Sequence, residues 1–159
     1  MRRSSHRRLY QGGMTLVELV VAFTILAVLS VMSLPLLRHK VRMEKERDLR
    51  YALTEIRRAI DKYKDAADAG RFQIKVGTEG YPETLETLVE GVALSGSADG
   101  SKVKFLRRIP LDPMTGMADW GMRSMQDEPS ATSWGGQNVF DVYTKSMERS
   151  RDGTPYSEW

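Results

Sequence analysis

Glu18 is the residue whose type and position ask for chemistry. It stands just before Leu19 to Leu37, nineteen residues without a charge. A carboxylate at the edge of such a run is costly in an apolar medium unless it is paired or protonated. The plain alternative places it at the lipid headgroup level, near a helix N-terminus that favours acids. Other reactive constellations do not appear. The chain has no cysteine, which excludes disulfide and thiolate chemistry. Its two histidines are His6, in a basic leader, and His39, beside the apolar run, where it reads as a headgroup-level residue. No Ser/His/Asp arrangement, phosphate-binding glycine loop or zinc spacing occurs. Asp112 and Asp119 have no partner pattern for acid–base work: turn geometry explains the first and a surface position the second. The chain is not read as an enzyme.

The element that must position Glu18 is a helix. At ~1.5 Å per residue, Leu19 to Leu37 would span roughly 28 Å, close to the ~30 Å hydrocarbon core of a bilayer. Arg38, His39, Lys40 and Arg42 end the run, and Arg2, Arg3, Arg7 and Arg8 precede it. The basic N-terminal flank favours a cytoplasmic N-terminus. A secretory signal peptide is the rival reading of residues 1–37. The apolar run is too long for its hydrophobic region, and no small-x-small site closes it.

Gly12-Gly13-Met14-Thr15-Leu16-Val17-Glu18 and the apolar run resemble the N-terminus of the type IV pilin and type II secretion pseudopilin superfamily. The resemblance implies cleavage between Gly13 and Met14 by a prepilin peptidase, N-methylation of Met14, and an assembly role for Glu18. It also implies a helix kink at Pro35. The new α-amine on Met14 would lie one turn from Glu18 and could pair with it, within a chain or between neighbours in a filament. Many type IVa pilins close a C-terminal loop with a disulfide, and the absence of cysteine points toward the pseudopilin branch.

Without residues 1–13 the chain carries 20 Lys/Arg and 21 Asp/Glu, a net of −1. The basic character belongs to the leader, so no nucleic-acid partner is predicted.

Downstream, Leu49, Leu53, Ile56, Ile60, Tyr63 and Ala67 recur at spacings of four and three, the signature of one apolar helix face. No glycine intervenes before Gly70, and no proline after Pro35. One helix is predicted from Thr15 to about Asp68, kinked at Pro35, where a ladder hydrogen bond is lost. Arg71 to Val76 is either a short strand or an ordered loop. Tyr81 to Glu90 reads as a short helix with Leu85, Leu88 and Val89 inward. Gly91 to Ser101 reads as a mobile loop, Lys102 to Ile109 as extended, and Pro110 to Gly116 as a turn. Met117 to Met125 and Asn138 to Lys145 read as strands, with a polar loop between them and an irregular tail after Ser146. Trp120, Trp134 and Trp159 read as core or sheet cover. The fold class is α+β: a long helix, half membrane-embedded and half amphipathic, with a small antiparallel sheet packed on the second half. The segments are a leader (1–13), a transmembrane or filament-core helix (14–37), an amphipathic half (38–68) and a periplasmic globular part (69–159).

This second half is similar to the major pseudopilin of type II secretion in Tyr81-Pro82, Ile109-Pro110-Leu111-Asp112-Pro113, Phe140-Asp141-Val142-Tyr143 and Trp159. That resemblance implies a homopolymeric periplasmic filament with minor pseudopilins and an inner-membrane assembly platform as partners. It also brings in calcium, since major pseudopilins bind it in the loop after the last strand. Glu148 and Asp152 fall near those ligand positions and are weak candidates. Here Glu148-Arg149 replaces the usual aspartate–glycine pair, and Arg149 and Arg151 add positive charge. A solvated loop is the favoured reading, and no cofactor is expected.

Overall fold

The computed structural model describes residues 15–96 and 100–159, and of residues 31–38 the backbone alone. The chain divides into two compact units at Arg42/Met43. Helix α1 (Leu16–Asp68) begins in the first and ends in the second.

In the first unit every described side chain from Thr15 to Ser30 is exposed, including Leu16, Phe23 and Leu26. A helix apolar all round has no solvated face and needs lipid or other apolar helices around it. Two of its described hydroxyls bond back along the helix. Thr24 Oγ1 donates to the Val20 carbonyl at 2.7 Å, and Ser30 Oγ to that of Leu26 at 2.8 Å. Bonding back to residue i−4 keeps these polar atoms out of an apolar surround. Among the described residues no helix is long and apolar enough to cross a membrane. The expected span runs on through residues 31–38, whose side chains lie outside the described residues.

In the second unit the amphipathic half of α1 is the floor of the core. Leu49, Leu53, Ile56, Ile60, Tyr63 and Ala67, the predicted face, are all buried. Ala52, Ala59 and Ala66 repeat every seven residues on the same face and are also buried. Their small size lets the overlying chain approach the helix backbone. A glycine cap ends α1. Gly70 takes φ 65°, its N–H reaches the Ala67 carbonyl at 2.9 Å, and the N–H of Arg71 reaches that of Ala66 at 3.0 Å. This is the Schellman arrangement, which satisfies carbonyls left over by the last turn.

Helix α2 (Leu85–Glu90) follows and buries Leu85 and Leu88. It is shorter than the predicted Tyr81 to Glu90, since the chain becomes helical only after Thr84. The predicted loop Gly91 to Ser101 instead starts a hairpin. Strand β1 (Val92–Ala93) pairs antiparallel with β2 (Lys102–Val103). Gly91 makes the approach: at φ 80°, an added Cβ would stand 2.6 Å from the Val103 carbonyl oxygen. Residues 71–76 form no strand.

The second sheet pairs β3 (Trp120–Arg123) with β4 (Asp141–Thr144), in the register Gly121 opposite Tyr143. Both lie inside the predicted strands. The architecture is therefore α+β with two separate two-stranded sheets rather than one sheet of about three strands. The predicted extended run Lys102 to Ile109 leaves its partner after Val103. Phe105 and Leu106 turn their N–H groups to the Leu88 carbonyl instead, each at 3.0 Å.

Polar contacts hold the second sheet to α1 and to the tail. Arg57 Nε donates to Asp141 at 2.7 Å, and its Nη2 reaches the carbonyl oxygens of Val142 at 3.1 Å and Trp159 at 2.7 Å. Arg50 stacks over Trp159 at 4.2 Å, and the buried Tyr156 donates to Glu46 at 2.7 Å. Asp112 is fully buried in its turn. It accepts from Thr144 Oγ1 at 2.5 Å and from the Met114 N–H at 2.8 Å, which fastens the turn to the end of β4. Trp120 is buried and donates to the Pro110 carbonyl at 2.9 Å, while Trp134 and Trp159 pack on the core from outside.

Gly121 is a point of no tolerance. A Cβ there would stand 2.2 Å from the Tyr143 ring, and the Arg123 guanidinium already covers that ring at 4.1 Å. Gly121→Ala should therefore lower stability by about 1–3 kcal/mol through overpacking. Urea unfolding followed by tryptophan fluorescence would measure it, and an unchanged midpoint would refute this packing.

Candidate processing and assembly site

Thr15 and Glu18 stand at the first turn of α1. Thr15 is the residue before the helix, and its Oγ1 accepts the Glu18 N–H at 3.3 Å. The Thr15 carbonyl accepts the Leu19 N–H at 3.1 Å, the first full helical bond. A threonine followed three residues on by a glutamate is the capping-box pattern, which satisfies amide groups that a helix start leaves open. The carboxylate of Glu18 also lies where the helix dipole favours negative charge. Thr15-Leu16-Val17-Glu18 carried this signal in the sequence, and it went unread beside the stronger glycine and apolar signals.

Two demands therefore meet on one residue. The backbone of Glu18 takes part in the cap, and its exposed carboxylate remains available to a cation near the helix start. Gly13 and Met14, the expected cleavage position, lie outside the described residues. The backbone of α1 is helical through Pro35, but its side chain and the kink expected there also lie outside them. His39 is exposed on α1.

Glu148 and Asp152, the weak calcium candidates, sit in a closed turn after β4. The Ser150 N–H donates to the Thr154 carbonyl at 2.8 Å, the Gly153 N–H to that of Ser150 at 3.1 Å, and Arg149 to that of Gly153 at 2.9 Å. The Asp152 carboxylate accepts from the Ser150 hydroxyl and from the Thr154 N–H. Those bonds, the Ser150 hydroxyl foremost, hold its pKa below the ordinary carboxylate value. The Glu148 carbonyl accepts the Tyr156 N–H at 3.2 Å, so the turn is tied to the buried tail. Among the described residues no three His, Asp or Glu side chains gather as a metal would need.

Residues 8–34 match the family model described as the Prokaryotic N-terminal methylation motif. The match begins at Arg8, the last arginine of the basic stretch, and covers Gly13-Met14, the cap with Glu18, and most of the apolar run. No curated protein and no solved structure matches the chain. The motif supports the type IV pilin-like class, with its prepilin-type processing and membrane-anchored N-terminus. The long helix with its small antiparallel sheets is consistent with a pilin-like fold.

Two outcomes follow. Thr15→Ala should remove about 1 kcal/mol from the first turn, read as faster hydrogen exchange at Glu18 and Leu19, whereas Glu18→Ala should impair methylation or filament assembly while the second unit stays folded. Normal filament yield from Glu18→Ala would remove the carboxylate from assembly.

For the turn at Asp152, a lowered folded pKa means that its stabilisation is complete above the unfolded carboxylate value. It is lost as pH falls through the lower folded value. The protection factors of the amides at residues 150–154, with the intrinsic pH dependence of exchange divided out, should be constant near neutrality and fall only in acid, and saturating calcium should leave the thermal midpoint unchanged. A calcium-dependent rise would reveal bound metal.

Proposed function

We propose that the chain is a pseudopilin subunit of a type II secretion system. A prepilin peptidase cuts it between Gly13 and Met14, and Met14 is N-methylated. The subunit waits in the bacterial inner membrane with its N-terminus cytoplasmic and its second unit periplasmic. An assembly platform then draws it into a periplasmic homopolymer with minor pseudopilins, and filament growth drives folded proteins outward. The work is mechanical, without a cofactor or catalytic site.

The observation that carries this reading is the coincidence, in one register, of the methylation-motif match with a capped helix start and an apolar surface. Exposed apolar side chains from Leu16 to Leu29 suit lipid before assembly and neighbouring helices after it. A carboxylate at the first turn suits a cationic α-amine formed by the cut.

A type IV pilin subunit, serving adhesion, motility or DNA uptake, is the second reading on the same fold. The absence of cysteine favours the first. A single-pass anchored binding domain that never polymerises is the third.

Intact-mass measurement of the protein purified from membranes tests the proposal. The expected mass is that of residues 14–159 plus one methyl group. An unprocessed chain beginning at Met1 would overturn both filament readings and leave the anchored domain.

A further inference from the structure

The second unit carries a cationic groove that the proposed function does not use. Two open depressions of about 400 and 440 Å³ run along one side of α1 and share Lys62 and Phe105 as walls. Arg58 and Lys62 form the helix rim, Lys104 and Arg107 the facing rim, and Arg71 closes one end. All five are exposed, and among the described residues none of their side chains makes a hydrogen bond or ion pair. Only two carboxylates, Glu55 and Asp65, line the same groove. Each stands three residues from a cation, Arg58 or Lys62, yet forms no ion pair with it. Arg58 and Lys62 are themselves one turn apart, where like charges repel. This excess of unpaired positive charge lies on a chain whose residues 14–159 carry a net of −1.

The floor differs from the rims. Ala59, Ala66 and Leu106 give it an apolar, low relief. Phe105 is half-buried and packs against Tyr63 at 5.2 Å and Phe72 at 6.2 Å. A single-stranded nucleic acid needs successive aromatic platforms for its bases, and the groove has one exposed ring, Tyr51, at one end. An apolar floor between cationic rims fits a peptide instead, with small apolar side chains down and carboxylates out on both sides.

We propose that this groove docks an acidic, partly apolar peptide segment of a partner protein. Arg58 and Lys62 hold carboxylates on one side, Lys104 and Arg107 on the other, and Ala59, Ala66 and Leu106 take the apolar side chains. The site is independent of the processing motif and works in either filament reading.

The test is fluorescence anisotropy of a labelled peptide of alternating glutamate and leucine against the full chain in detergent micelles, with empty micelles as the blank. Saturable binding should weaken as salt rises. It should fall by about tenfold or more in R58E with K62E, and again in K104E with R107E. The same peptide with lysine for glutamate should not bind. All four substituted side chains are exposed, and thermal melts confirm the fold; if one pair unfolds, the other decides. Absence of saturable binding overturns the proposal, as does equal affinity in wild type and folded variants. Displacement of the peptide by a more tightly bound oligothymidylate would also overturn it, making the groove a nucleic-acid site.

Discussion

The second unit depends on burying one face of the amphipathic half of α1. Leu49, Leu53, Ile56 and Ile60 lose almost all contact with solvent, and burying each such side chain contributes about 1.5–3 kcal/mol. Both sheets have only two strands. A hairpin of that size is marginal in water by itself. The second sheet is held here by the shared core, in which Trp120, Val139 and Val142 join the helix face, and of the first sheet Val92 packs against that core. Remove the face, and the strands have nothing to pack upon.

Directional contacts set on that greasy floor decide where the loops go. Arg57 is the clearest case. From one helix position it binds a β4 carboxylate, a β4 carbonyl and the carbonyl of Trp159. A planar guanidinium with a fork of donors suits such a role better than an ammonium would. The turn at Asp112 is held the same way. The buried carboxylate has a hydroxyl and an amide donor, and no buried side-chain polar atom among the described residues lacks a partner. Much of this part of the chain lacks regular structure, yet it is ordered by such bonds.

The two parts of α1 follow opposite rules. From Leu16 to Leu29 the apolar side chains are exposed on every side; from Leu49 onward they form one stripe. The first pattern is stable only in an apolar surround, the second only beside a folded partner. That contrast asks for two environments, an apolar one for the start of the helix and an aqueous one for the folded part. It also explains why the capped start at Thr15 matters. A helix end in an apolar medium must satisfy its own amides, and the threonine hydroxyl does so for that of Glu18.

Local patterns in the sequence determined the long helix, its end at Gly70, the buried stripe, the turn at Asp112 and the glycine, glutamate and apolar register at the N-terminus. Each of these is set by residues within a few positions of one another, so spacing and side-chain type sufficed. The capping box was equally local and could have been read. The pairing of Val92–Ala93 with Lys102–Val103, the splitting of the strands into two sheets, and the Arg57 clamp on Asp141 and Trp159 were decided only by tertiary structure. So was the cationic groove, whose rims come from α1 and from residues 104–107. Those features join segments far apart in the chain. A near-neutral total hides charge that folding collects on one face, because net charge adds along the sequence while electrostatic fields add in space.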